Sequence, residues 1–256
     1  MKHTDQLGRT ITLTNSPPQR IISLVPSQTE LLADLGLEEQ AVGITKFCVH
    51  PVHWRKEKTI IGGTKQLHLD RIRALQPDLI IANQEENDKE QVEVLAESFP
   101  VWVSKVVDLE SALEMIAQVG TICHKSEAAR ALVKQIQDRF AQLPEMPKRR
   151  AAYLIWRKPY MVSGGDTFIH AMLQKAGFDN VFGEQKRYPE VSIANLQAAN
   201  PEVILLSSEP FPFKEKHLAE LQKHCPQAVI KLVDGELFSW YGSRLLHSAS
   251  YFFNLC

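Results

Sequence analysis

Two stretches far apart in the chain, LDRIRALQPDLIIANQE (Leu69–Glu85) and IANLQAANPEVILLSSE (Ile193–Glu209), align without a gap. Proline falls on proline (Pro77, Pro201), Asp78 on Glu202, one apolar run on the other, and Glu85 on Glu209. In each copy a short helix must stop before the proline, because proline disfavours the α conformation in the residue ahead of it. Asp70–Leu75 is the first such helix, and the apolar run that follows reads as a strand. LLADLGL (Leu31–Leu37) likewise matches MLQKAGF (Met172–Phe178), and RIISLV (Arg20–Val25) matches RAAYLI (Arg150–Ile155). Helix–proline–strand joints recur in many α/β chains, but three matches in one order point to internal duplication. A chain written this way has to fold as two similar units.

The apolar runs Ile21–Val25, Ala41–Thr45, Thr59–Ile61, Leu79–Ala82 and Val101–Val103 are each followed by a helical stretch. That alternation predicts a parallel sheet with helices on its faces. Between the copies, Leu109–Ile122 reads as a helix. Ser126-Glu127 opens another, with Ala129, Leu132, Val133, Ile136 and Phe140 at helical spacing. Lys125 to Leu143 is expected as one uninterrupted helix, roughly 28 Å long and so a stiff connector, stopped by Pro144 and Pro147. The expected class is therefore α/β, two Rossmann-like parallel-sheet lobes joined by a single long backbone helix. The N-terminal lobe is residues 1–124, the connecting helix 125–147 and the C-terminal lobe 148–256.

At 256 residues, 44% of them hydrophobic, the chain can bury enough surface to fold without disulfides or a structural metal. Its formal net charge of −1 argues against nucleic acid as a partner, which would call for a basic excess. No run approaches the ~20 apolar residues of a membrane helix. The start, MKHTDQLGRTITL, has no apolar leader core. The chain as given is expected in the cytoplasm, or in the periplasm or lipid-anchored if a leader has been removed. Cys48, Cys123, Cys225 and Cys256 lie far apart with no C-x-x-C pair, the pattern of separate reduced thiols.

RIISLVPSQTELLADLG (Arg20–Gly36) has the strand–turn–helix order of a nucleotide site, yet its turn contains no glycine. A Rossmann site needs glycines for the pyrophosphate to approach the backbone. Ser27 and Glu30 instead have the spacing of an S-x-x-E capping box, which would satisfy the helix end internally. Gly62-Gly63 and Gly164-Gly165 fit no phosphate motif, and neither G-x-S-x-G nor H-E-x-x-H occurs. Glu85 and Glu209 would suit an acid/base pair, but duplication accounts for their equivalence more simply.

DQLGRTITL, PPQRIISLVPSQTELLADLGL, VGITKFCVHP, LDRIRALQPDLIIA, the central helix, YPEVSIANLQAANPEVIL and FSWYGSRLL cover nearly the whole chain. Together they resemble the helical-backbone class of substrate-binding proteins, which serve importers of siderophore-iron, haem and cobalamin. The resemblance implies two lobes, a ligand held in the cleft between them, and docking on an ABC transporter permease through an acidic residue on each lobe. Asp70 fits the first docking position. The second falls near Ser239, where Glu236 is the closest acid. The family normally carries an export signal, and none is expected in the chain as given.

Ligands of open α/β sheets sit beyond the carboxyl ends of the strands. In the first lobe those ends carry Phe47, His50 and Lys65, with Lys46 beside them. In the second they carry Trp156, Arg157, Tyr188, Trp240 and Tyr241, with Arg187 adjacent. Aromatic rings would clasp a flat macrocycle and the cations would hold its acidic substituents. Read singly, each is as readily lobe core or a solvated charge. His50-x-x-His53 has a metal-compatible spacing, but Pro51 breaks the helical geometry and loop histidines are more often solvated. No metal site and no intrinsic cofactor is therefore expected. The reading is a monomeric binding protein, not an enzyme, for cobalamin, haem or a ferric siderophore. The alternatives are an intracellular enzyme or metallochaperone acting on such a compound, and a sensor or scaffold that has lost ligand binding.

Overall fold

The computed structural model describes residues 1–145 and 147–255; Cys256, one of the four expected thiols, lies outside them. The chain divides into two compact units. The first comprises Met1–Val106, Glu110–Ile136 and Tyr241–Arg244, and the second Val107–Leu109, Gln137–Trp240 and Leu245–Cys256. Among the described residues, no helix is long and apolar enough to cross a membrane.

In the first unit a hairpin of β1 (Lys2–Thr4) and β2 (Thr10–Thr12) precedes β3 (Ile21–Ser23) and α1 (Pro26–Asp34). Then follow β4 (Ala41–Ile44), α2 (Trp54–Glu57), β5 (Thr59–Ile60), α3 (Leu69–Ala74), β6 (Leu79–Asn83), α4 (Lys89–Ala96), β7 (Val101–Ser104) and α5 (Leu109–Ile122). The main sheet has the order β5-β4-β3-β6-β7, and every pairing in it is parallel. Strands β3, β6 and β7 are buried throughout, as expected for a parallel sheet covered on both faces, while the edge strand β5 is not.

The helix α6 (Ser126–Ala141) follows, starting one residue later and ending two residues earlier than the stretch expected from 125 to 143. The boundary between the units falls within it, after Ile136.

The second unit contains β8 (Arg149–Trp156), β9 (Tyr160–Val162), α7 (Phe168–Lys175), β10 (Phe178–Asn180), β11 (Glu190–Val191), α8 (Ile193–Ala199) and β12 (Val203–Ser207). It ends with α9 (Glu215–Gln222), β13 (Val229–Val233), α10 (Glu236–Ser239) and α11 (Leu245–Leu255). The strands run β11-β9-β8-β12-β13, with β10 also on β8. The β10-β8-β12-β13 part is parallel, but β9 and β11 join antiparallel. The sheet is thus mixed, because β8 turns back through Arg157–Pro159 into a hairpin.

Backbone details confirm the internal repeat. Ile21 pairs with Leu79 in the first sheet, and the matching Ala151 pairs with Val203 in the second. Gln76 and Asn200, each just before the shared proline, both take φ of 44°. The amide of Arg20 donates to Asp78 at 2.8 Å, and that of Arg150 to Glu202 at 2.8 Å. Their guanidinium groups bind the carbonyls of Leu75 and Ala199, again matching positions. Gly36 and Gly177 end α1 and α7 with φ of 67° and 77°, a left-handed conformation that glycine adopts without steric cost.

Candidate functional site

In the first unit the carboxyl ends of the strands open with α1. The expected capping box does not form. Pro26 begins the helix two residues earlier, Val25 is the N-cap, and no side chain caps the end. Proline suits the first helical position because its missing N–H would have had no partner there. This shift buries Ser27 inside the first turn and turns Glu30 to another use. Arg244 grips the Glu30 carboxylate with two bonds, 2.9 and 2.5 Å. Burial raises the pKa of Glu30, and the Arg244 bonds oppose that rise.

After β4, Phe47 is 51% exposed, with the Lys46 ammonium 5.0 Å from its ring centre. A Cβ on Gly63 would come within 3.1 Å of Phe47 Cε2 and 3.3 Å of Lys46 Cε, so the glycine doublet is the floor on which these side chains rest. Cys48 is buried against the hydroxyls of Thr29 and Thr45, and His50 is half-buried before Pro51. Lys65, at the tip of the Gly63–Gln66 turn, donates to the carbonyls of Glu85 (2.7 Å) and Asn87 (3.3 Å). Beyond β6, the amides of Glu85 and Glu86 donate to Asn83 Oδ1. The Tyr241 hydroxyl donates to Glu86 at 3.1 Å. Tyr241 is 4% exposed, and burial foremost holds its phenol well above its ordinary pKa.

In the second unit Trp156 is the last residue of β8, not part of the turn after it. It is 39% exposed and meets Phe211 edge-on at 5.8 Å. Arg157 is committed to Glu220, at 2.9 and 2.7 Å, and the Tyr160 hydroxyl donates to the same carboxylate at 2.9 Å. A surface cavity of about 450 Å³ opens beside that trio, between Pro159, Glu190 and Ser192. The Arg187 guanidinium lies 5.9 Å from the Tyr188 ring, and Arg187 itself has φ of 59°, uncommon for a residue with a side chain.

Trp240 follows α10 directly and is 6% exposed. Its indole N–H donates to Glu209 at 2.8 Å, and the Ser239 hydroxyl donates to the same oxygen at 2.7 Å. Burial is the main cause that raises the pKa of Glu209, the bonds from Ser239 and Trp240 pull the other way, and Glu236 and Asp234 raise it further. Of the expected docking residues, Asp70 is fully exposed in the first turn of α3, 3.2 Å from Arg73. Glu236 is half-buried in the first turn of α10.

The expected aromatic residues therefore differ in kind. Phe47 and Trp156 present open rings, whereas Trp240 and Tyr241 are buried with their polar tips fixed by glutamates. Sequence reasoning found Glu209 through its equivalence to Glu85, gave Glu30 only a capping role, and missed Glu86 and Glu220. Their partners are distant in the chain, and no local spacing signals such pairs.

The model of a periplasmic binding protein family matches residues 21–231. The vitamin B12-binding protein of Vibrio campbellii is 28% identical over 199 residues, 75% of this chain and 72% of that protein. That of Pectobacterium carotovorum is 27% identical over 243 residues, 91% and 86% of the two chains. Among solved structures, the periplasmic vitamin B12 binding protein of Vibrio cholerae superposes with a TM-score of 0.79 at 21% identity, over 93% of this chain and 96% of that one. A periplasmic haem-binding protein from Pseudomonas aeruginosa gives 0.79 at 22% identity, over 93% and 92%. With the family model spanning most of both units, the chain belongs to the periplasmic binding protein family.

Proposed function

We propose that this chain is a substrate-binding protein for an ABC importer and that its ligand is a corrinoid of the cobalamin type. The observation that carries this reading is the run of relatives named as vitamin B12-binding proteins, two of them aligned over nine-tenths of the chain. The residue chemistry supports it. Phe47 and Trp156 offer exposed rings at the carboxyl ends of strands, Phe47 with the Lys46 ammonium over its ring. A large macrocycle gains from apolar burial and from stacking on such rings. In this reading His50 and Tyr188 complete the ligand contacts. Trp240, Tyr241 and Arg157 contribute by holding the surrounding turns, since each is bonded to a glutamate. In this reading residues 1–124 act as one lobe and 148–256 as the other, with the segment between them, which holds α6 (Ser126–Ala141), as the connector.

The role is capture, not catalysis. The one carboxylate of the Glu85/Glu209 pair that would be the stronger acid/base candidate, Glu209, is occupied by Ser239 and Trp240. Asp70 and Glu236 serve as docking acids for the permease, and replacing both with lysine is expected to abolish docking while sparing ligand affinity, since rim charges chiefly govern encounter and orientation.

Titration of the purified protein with cyanocobalamin, haemin and a ferric hydroxamate, followed by calorimetry, tests the proposal. Cobalamin is expected to bind most tightly, and Phe47→Ala or Trp156→Ala to weaken it about tenfold, the equivalent of ~1.4 kcal/mol. Tighter haem or siderophore binding would reassign the ligand. No binding of any of the three, or unchanged affinity in both variants, would overturn the reading.

A further inference from the structure

The strands of the first sheet all run the same way, so the ends opposite Phe47 and Lys65 carry a different set of side chains. Glu38 lies in the turn that leads into β4, Glu57 closes α2 just ahead of β5, and His53 is the residue before α2. One ligand atom from each of these three exposed side chains lies within 4.8 Å of the other two. His53 Nε2 stands 2.6 Å from Glu38 Oε1. The indole N–H of Trp54, a fully buried ring, donates to the same oxygen at 3.1 Å and so orients the carboxylate from behind.

We propose that Glu38, His53 and Glu57 form a surface site for a divalent transition-metal ion of the zinc type. One imidazole nitrogen and two carboxylates are a donor set that zinc accepts, with water completing the tetrahedron. The ion takes the place of the hydrogen between His53 Nε2 and Glu38 Oε1, the imidazole then carrying its proton on Nδ1. Zinc bonds of about 2.0–2.2 Å require the three donors to draw slightly closer, which exposed glutamates allow. The Trp54 bond supplies the kind of outer support that fixes a ligand's orientation. Opposing the ion, the Lys58 ammonium donates to the Glu38 carbonyl at 2.6 Å and lies 5.3 Å from the Trp54 ring. Its charge makes the site a modest binder.

The bound ion would tie the turn before β4 to the helix before β5. That staples the edge of the sheet, where β5 contributes only the pair Thr59–Ile60. The site is independent of the corrinoid reading, and its test uses no corrinoid. Metal-free protein is titrated with zinc chloride by calorimetry, and its melting temperature is recorded with and without zinc. One equivalent is expected to bind to the wild type and raise the melting temperature. His53→Ala and Glu57→Gln, both at exposed positions, are expected to weaken binding about tenfold or more and lose the thermal shift. His224→Ala, an exposed histidine of the second unit, is expected to behave as wild type. Absence of zinc binding by the wild type, full binding by His53→Ala, or loss of binding in His224→Ala would each refute the site.

Discussion

Asp78 and Glu202 hold matching positions in the two copies of the repeat, but their surroundings predict different costs on removal. Asp78 is 7% exposed and accepts three hydrogen bonds, from the Asn15 side chain at 3.0 Å and from the amides of Gln19 and Arg20 at 2.8 Å. Glu202 is exposed and accepts one, from the Arg150 amide at 2.8 Å. A hydrogen bond to a charged group contributes about 1.5–3 kcal/mol, and a donor left without a partner costs about 1–3 kcal/mol when buried. The Asp78 donors are only part-buried, so water recovers some of the loss. Asp78→Ala should therefore destabilise the first unit by about 2–4 kcal/mol, and Glu202→Ala the second by under about 1 kcal/mol. For a chain of this size each kcal/mol shifts a melting temperature by about 2–4 °C. The assay is hydrogen exchange read peptide by peptide, alongside thermal melting, because it assigns the loss to a unit even when unfolding is not two-state. Faster exchange confined to the peptides of β3 and β6 in Asp78→Ala is expected. Equal effects in the two variants, or a larger one in Glu202→Ala, would refute the argument that burial and donor count set the cost.

Three further outcomes follow from the same structure. Glu209 has a pKa raised mainly by burial; below the unfolded value, about 4.3, both states hold the proton, and as pH rises through the folded value the native state must carry a buried charge. Stability should thus fall over that interval, and Glu209→Gln should flatten the loss in urea titrations run from pH 4 to 8. Gly120→Ala would place a Cβ 2.2 Å from that of Ala129, where α5 meets α6, and should cost about 1–3 kcal/mol by forcing the helices apart, measurable as a lower urea midpoint. The Cys123 thiol is buried and its pKa is pushed up to about 12, so Cys123, with buried Cys48 and Cys225, should resist a thiol reagent at pH 8 until urea unfolds the protein.

The repeat was legible because each of its features is local. The proline, the polar residue ahead of it in the left-handed conformation and the acid behind it lie within three positions, Gln76-Pro77-Asp78 and Asn200-Pro201-Glu202. Alignment alone paired Ile21 with Ala151 and Leu79 with Val203, and the two sheets show that register. The failures have equally physical causes. Ser27 and Glu30 have the right spacing for a capping box, but Pro26 is a good first helical residue and moves the start of α1 back by two positions. The antiparallel strand β9 spans only Tyr160–Val162, too short for a periodic signal. Among the candidate ligand residues, sequence placed the aromatics after strands but could not tell an open ring such as Trp156 from an anchored one such as Trp240. The glutamate that makes the difference, Glu209, is some thirty residues from Trp240 and only the fold brings it near.

The four residues Tyr241–Arg244 belong to the first unit although the chain on both sides belongs to the second. A ribosome making this polypeptide releases the bulk of the first unit by Ile136, then synthesises about 100 more residues before Arg244 appears. At 5–20 residues per second that interval lasts roughly 5–20 s. Throughout it, the nascent unit must hold the Glu30 carboxylate without its guanidinium and the Glu86 carboxylate without its phenol. The first copy is therefore begun first and finished late, and its final stability depends on a segment encoded in the other half of the gene.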